Sequence, residues 1–296
     1  MLRLSIIIIC TVFTMNVNAG ALEDINKNLS AFDQITDISV LQQPQNMMVD
    51  YDFSGIIKLS NCSASLVKLA DTNYTKALML TNGHCMRRFQ KPGEVIVNKS
   101  ANMRATLLNE KGSTAGRLVA QKIVYATMSR TDMAILELNK TYEEIKNEYG
   151  IEPLIISNEA PEVGMDIEII SGYWKRGFSC AVENIVHNLK EADWDFYDSI
   201  GYTKPCKVYG GTSGSPVLSV ETGEVIGVNN TGSERGRKCT MNNPCEVDEN
   251  GNIKVIKDKG YAQNTFWLYK CLDESSPDKI ALDFERSECK LLAPSN

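Results

Sequence analysis

The chain has 296 residues, 43% hydrophobic and 23% charged, a globular balance that excludes disorder throughout as well as collagen and fibrous classes. Its 31 Lys and Arg against 37 Asp and Glu give a formal charge of −6, which argues against nucleic acid or an anionic membrane as the main partner. Nine cysteines and only two histidines, His84 and His187, leave little room for metal sites and make any histidine-based mechanism easy to trace.

The first element reads as an export signal. Arg3 is the only charge before Glu23, an apolar run follows from Leu4 to Met15, and small residues close it at Ala19, Gly20 and Ala21. This is the pattern of a signal peptide over 1–19, with cleavage after Ala19 or Ala21. The run is shorter than the roughly 20 residues of a bilayer span, so no stable membrane anchor is expected. Cys10 follows Ile8 and Ile9 rather than the small residues of a lipid-attachment site. Losing the leader removes Arg3 and Cys10 and leaves eight cysteines: Cys62, Cys85, Cys180, Cys206, Cys239, Cys245, Cys271 and Cys289. An even number in an exported chain reads as disulfides, with the pairing open, and the expected location is extracellular or periplasmic. No Cys-x-x-Cys pair occurs, which disfavours zinc ribbons and thioredoxin-like sites.

Residues 20–50 are polar with weak periodicity and read as a lead-in segment, whether short helix, propeptide or tail. From Tyr51 onward, short β-type runs alternate with turn residues: Gly55–Ser60, Ala64–Leu69, Ala77–Thr81, Glu94–Val97, Arg117–Ala120 and Met133–Leu136. Asp166–Ile170, Pro216–Leu218 and Val225–Val228 continue the series. Many short strands at this spacing predict an all-β sandwich or barrel. Tyr142–Tyr149 is predicted to be a short helix and Phe266–Leu272 a final one. Asp248–Asn252 invites a calcium-loop reading, but its glycine comes too early, and a β-hairpin turn between Glu246-Val247 and Ile253–Val255 is the better reading.

Three motifs stand in order: Leu80-Thr81-Asn82-Gly83-His84-Cys85, Thr131-Asp132-Met133-Ala134 and Gly210-Gly211-Thr212-Ser213-Gly214-Ser215-Pro216-Val217. A serine hydrolase needs a base for its hydroxyl, a buried carboxylate to orient that base and N–H donors for the developing oxyanion. His84, Asp132, Ser213 and the glycines beside it offer one candidate for each role. Chain order excludes rivals. An α/β-hydrolase places its histidine after the serine, whereas both histidines here precede Ser213. A subtilisin-like enzyme places its Asp first, whereas Asp132 follows His84.

With these motifs the chain resembles the trypsin/chymotrypsin-like serine peptidases, and is most similar to their secreted bacterial branch, which includes V8-like endopeptidases. The resemblance spans about 52–272 and includes Cys62-Ser63-Ala64-Ser65, similar to the family's strand that carries a cysteine partner for the one after the histidine. It implies an all-β fold of two perpendicular six-stranded antiparallel β-barrels with a short C-terminal helix. Barrel one would span about 51–140 and barrel two about 151–272, followed by a tail over 273–296. It implies a serine endopeptidase with Ser213 as nucleophile, His84 as base and then acid, Asp132 as orienting carboxylate, and the N–H groups of Gly211 and Ser213 as oxyanion hole. Asn230-Thr231-Gly232 would pair with substrate backbone, and Cys62 would pair with Cys85. For the rest, Cys180–Cys206, Cys239–Cys245 and Cys271–Cys289 are the expected pairs.

Three positions depart from the family pattern. Thr212 stands where digestive members carry the Asp that binds a new N-terminus, so that form of zymogen control is not expected. Asn229 stands where V8-like enzymes carry a histidine, which puts glutamyl specificity in doubt. Lys207 occupies the place that often sets the primary pocket, either favouring an acidic substrate residue or facing solvent. His187 reads as a surface or strand histidine, and Trp174 and Trp194 as packing residues rather than substrate platforms. No metal or organic cofactor is expected, the partner is a protein or peptide substrate, and the protein is expected to be a monomer. The competing reading is an inactive relative on the same fold that serves as an exported binding or adhesion protein.

Overall fold

Alternation within the apolar runs decides which core each strand feeds. The computed structural model describes residues 50–70, 72–273, 275 and 280–295; the leader over 1–19 and the lead-in up to residue 49 lie outside the described residues. Six strands make the first barrel: β1 (Ile56–Lys58), β2 (Ser63–Leu69), β3 (Lys76–Thr81), β4 (Val95–Leu108), β5 (Thr114–Thr127) and β6 (Met133–Thr141). Their order is β1-β4-β5-β6-β3-β2, and β1 pairs back onto β2, so the sheet closes. All these pairings are antiparallel.

The period of two is visible in the packing. Ala64 and Leu66, Ala77 and Met79, and Ala134, Leu136 and Leu138 fill the barrel interior with Leu107 and Leu118. Their neighbours Val67 and Leu69, Leu78 and Leu80, and Met133 and Ile135 point the other way, into a second core with Val225, Val228 and Trp267. Both faces of β2, β3 and β6 are therefore buried, which is why unbroken apolar stretches such as Ala77–Leu80 and Met133–Leu136 replace polar-apolar alternation in β3 and β6.

The second barrel contains β8 (Asp166–Ser171), β9 (Arg176–Glu191), β10 (Trp194–Tyr202), β11 (Pro216–Ser219), β12 (Val225–Gly232) and β15 (Gly260–Asn264). The order β12-β11-β8-β9-β10-β15 closes through β12 and β15, again antiparallel throughout. Ile167, Ile169, Val182, Ile200, Val217 and Ile226 fill it. A short strand, β7 (Leu154–Ile156), runs parallel to β2 on one side and to β12 on the other, and joins the two barrels in one sheet. The architecture is the chymotrypsin-like β fold that the resemblance implies.

Helix α1 (Tyr142–Tyr149) forms where its caps dictate. The Thr141 hydroxyl accepts the Glu144 N–H at 3.1 Å while the Glu144 carboxylate accepts the Thr141 N–H at 2.7 Å, a reciprocal capping box. Gly150 stops the helix at a φ of 70°, open to glycine without strain. The final helix α2 (Trp267–Lys270) buries Trp267 and Leu268 in the core between the barrels. The segment around Asp248 is a hairpin turn between β13 (Cys245–Val247) and β14 (Ile253–Lys254), with the Asp248 carboxylate accepting the N–H groups of Asn250 and Asn252.

The structure pairs the eight cysteines as Cys62–Cys85, Cys180–Cys206, Cys239–Cys245 and Cys271–Cys289, the pairs named from the sequence. The segment after α2 is more than an appendage: Leu291 joins the core between the barrels, Phe284 lies against the Tyr125 ring, and the Tyr125 hydroxyl donates to the Leu292 carbonyl at 3.2 Å. Among the described residues no helix is long and apolar enough to cross a membrane.

Candidate active site

His84 sits in a tight turn, Gly83–Cys85, directly after β3. Gly83 is required there, because a Cβ at this position would lie 2.1 Å from the Thr127 carbonyl oxygen on β5. The Cys62–Cys85 disulfide ties the far side of the turn to the loop before β2. Asp132 enters from the start of β6 and is 1% exposed. Its carboxylate takes two bonds from one residue: the His84 backbone N–H reaches Oδ1 at 3.0 Å, and His84 Nδ1 donates to Oδ2 at 2.6 Å. The Asp132 carbonyl accepts the buried Asn82 amide at 2.7 Å, which fixes the carboxylate's own backbone. With Nδ1 donating, Nε2 is left as the basic nitrogen facing the cleft.

Burial disfavours a charged imidazole, but the Asp132 carboxylate outweighs it, with a further push from Glu191. The His84 pKa is therefore held above the ordinary imidazole range.

Ser213 lies at a sharp turn leading into β11. The N–H groups of Thr212, Gly214 and Ser215 bond the carbonyls of Tyr209, Asn229 and Thr212, while the N–H groups of Gly211 and Ser213 stand outside these backbone bonds. Gly214 has a φ of +80°, and a Cβ there would lie 2.0 Å from the Ser63 carbonyl oxygen. That close approach lets the Ser63 N–H donate to the Ser213 carbonyl at 2.7 Å, a direct bond from β2 of the first barrel to the serine turn of the second. The Ser213 hydroxyl donates to the Asn230 carbonyl at 3.2 Å. His84, Asp132 and Ser213 line one cleft.

The remaining expected site residues divide. Asn229, Asn230, Thr231 and Gly232 lie together on β12, with a β-bulge in its pairing to β15 between Asn229 and Thr231. They line a second, smaller cavity of about 30 Å³ that also touches Ser213. Asn229 is buried with its amide fully engaged: its oxygen accepts the Tyr202 hydroxyl at 3.1 Å and its nitrogen donates to the Thr212 hydroxyl at 3.1 Å. Thr212 donates onward to the Tyr209 carbonyl, so its side chain serves the fold of the turn. Lys207 is exposed and stands outside the residues lining that cavity, and its neighbour Val208 lines it instead. His187 is exposed and makes an edge contact with Tyr197.

Two residues at the cleft were not anticipated in these positions. Trp194 lines the cleft, stacks edge-on with Phe89 and donates its indole N–H to the Gln90 carbonyl at 3.1 Å, so it forms a cleft wall rather than simple packing. Glu191 is 6% exposed and faces the same cleft, its Oε1 accepting the Asn242 N–H at 2.6 Å. Burial pushes its carboxyl pKa up, against the lowering effect of the bonds from Asn242 and Thr231. In the sequence Glu191 stands in a polar run, Asn188-Leu189-Lys190-Glu191-Ala192-Asp193, and nothing there distinguishes it from an exposed turn.

Trp174 also abuts the site, donating its indole N–H to the Gly210 carbonyl at 2.9 Å. Among the described residues, Cys62, His84 and Cys85 are the one group of potential metal ligands close enough together to share an ion, but two of them are joined as a disulfide and offer no thiolate.

Comparison with known proteins places these observations. The family profile of the trypsin-like peptidase domain matches residues 62–228, more than half of the chain. No curated protein matches the chain in sequence. Among solved structures, the chain is similar to the MamO protease domain from Magnetospirillum magneticum at 11% identity and a TM-score of 0.47, covering 76% of this chain and 98% of that one. It is similar to a Nocardiopsis protease at 12% identity and a TM-score of 0.40, covering 73% and 92%. A Glu endopeptidase shares 16% identity at a TM-score of 0.40, covering 73% and 90%.

Proposed function

Because the chain belongs to the trypsin-like peptidase domain family, we propose that it is an exported serine endopeptidase acting through an acyl-enzyme. One observation carries the reading: the bond from His84 Nδ1 to the buried Asp132 carboxylate, in the cleft that Ser213 also lines. In the proposed reaction the Ser213 hydroxyl leaves the Asn230 carbonyl and turns to His84 Nε2. His84 takes its proton as Oγ attacks the peptide carbonyl, and Asp132 stabilises the resulting imidazolium. The N–H groups of Gly211 and Ser213 receive the oxyanion. His84 then protonates the leaving amine, and water activated by the same histidine releases the acyl group.

The test is labelling of the folded wild-type protein with a fluorophosphonate. Covalent modification at Ser213, located by peptide mass, is the expected result. A folded protein that resists the reagent would leave the inactive, binding relative as the better reading.

The small cavity beside Ser213 supports a preference for a small residue at the cleaved carbonyl. Val208 forms part of its wall. Matched chromogenic peptides are expected to be cleaved with Ala at this position at least about tenfold faster than with Phe, Lys or Glu. Val208→Gly should raise the Phe rate relative to Ala. A wild type that favours Glu or Lys would sink this assignment.

A further inference from the structure

A buried carboxylate is normally matched by a cation, a metal or a proton. Among the described residues no Lys or Arg forms an ion pair with Glu191. Its bonding partners are neutral: the Asn242 N–H and the Thr231 hydroxyl. The cleft it lines has apolar walls from Phe89, Met128, Trp194 and Phe196. Apolar walls with a carboxylate set among them match a side chain that has an aliphatic stem and a cationic end.

Two cavities that meet at Ser213 bear on which substrate residue this is. Two cavities share Ser213, Asn230 and Thr231; one contains Val208 and Gly232, the other His84 and Glu191. A peptide extended along β12 turns successive side chains to opposite faces. The first cavity is walled by the loop that carries Ser213 and suits the residue whose carbonyl meets Ser213, and the second, on the His84 side, suits the residue before it. We propose that Glu191 forms a subsite for Lys or Arg at the residue immediately preceding the cleaved one. This rests on the peptidase reading above and assigns a substrate class to it: chains with a basic residue followed by a small one.

The experiment compares three peptides that differ only at that position, carrying Lys, norleucine or Glu. Wild type is expected to rank them Lys, norleucine, Glu in kcat/KM, with about tenfold between the first two. Glu191→Gln keeps acceptors for Asn242 and Thr231. It should lose the Lys preference, read as the ratio of the Lys to the norleucine kcat/KM within the same variant, from which any change in His84 cancels. A wild type that ranks norleucine level with Lys overturns the subsite without any variant, as does Glu191→Gln with the preference intact. If no peptide is turned over, the peptidase reading fails separately. Binding of the same peptides to Ser213→Ala, with and without Glu191→Gln, then decides the subsite: a Lys preference lost with the carboxylate supports it, and equal affinities overturn it.

Discussion

Ser213→Ala is expected to lower peptide hydrolysis by about 10⁵- to 10⁶-fold and to abolish fluorophosphonate labelling, while leaving the protein folded. The size follows from chemistry. In the proposed mechanism, removing Oγ removes the atom that would form the acyl-enzyme, and what would remain is the rate enhancement from binding and oxyanion donors acting on water. Stability should barely change, because the hydroxyl makes one side-chain bond, to the Asn230 carbonyl. The Ser213 carbonyl keeps its bond from Ser63, and the Gly214 N–H keeps its bond to Asn229. A shift in unfolding free energy below about 1 kcal/mol is the expected companion result. Steady-state kinetics on matched peptides, with denaturant unfolding as control, reads both quantities. Substantial activity in this variant would remove Ser213 from the proposed role.

The second large effect is at Asp132. Asp132→Asn is expected to cut kcat/KM by about 10⁴-fold, through loss of orientation and of the imidazolium's countercharge rather than through unfolding. Asp132 accepts both the backbone N–H and Nδ1 of His84, and an amide presents only one acceptor to those two donors. The pH profile adds a sign. The proposed role of His84 as base requires the uncharged imidazole, so wild-type activity should fall as pH drops through the His84 pKa, and that limb should lie above the ordinary imidazole range. The cause is the balance at the site: burial pulls the pKa down, and Asp132 and Glu191 together more than restore it. With Asp132 replaced, burial is left weakly opposed, and the acid limb should move to lower pH. A limb that stays in place would mean that another group titrates there.

Much of the first barrel was legible in the sequence, and the reason is physical. β2, β3 and β6 are buried on both faces, so apolar neighbours such as Leu66-Val67, Ala77–Leu80 and Met133–Leu136 stand side by side and the runs stand out. β9 and β10 were not read as strands. In β9 the buried residues Phe178, Val182, Val186 and Leu189 are separated by Glu183, Asn184, His187 and Asn188, and a bulge breaks the pairing with β10 near Gly201. β15 is wholly buried, yet its sequence Gly-Tyr-Ala-Gln-Asn looks like a loop. Its amide nitrogens find partners in the interior, with Gln263 donating to the Ser199 hydroxyl and Asn264 to the Asp198 carbonyl.

The candidate site divides along the same line. His84, Asp132 and Ser213 carry their chemistry in short local motifs, so they could be named from sequence. Glu191, Trp194 and Val208 matter only through where β9, β10 and the loop before Ser213 bring them, and no local pattern encodes that. Lys207 shows the converse: it holds a suggestive sequence position, but its side chain is exposed and the adjacent Val208 takes the cavity wall.

The parallel strand β7 has a mechanical consequence. His84 and Asp132 belong to one barrel and Ser213 to the other, an arrangement in which a loose joint would blur the distance that proton transfer depends on. β7 carries the hydrogen-bond ladder from β2 to β12, and the Ser63-to-Ser213 bond stitches the same seam beside the serine. Gaping of the halves would have to rupture backbone hydrogen bonds, so the seam acts as a weld rather than a hinge. In the proposed reaction the entropy of bringing the reacting groups together would then be spent when the chain folds, with little of it left to spend at each turnover.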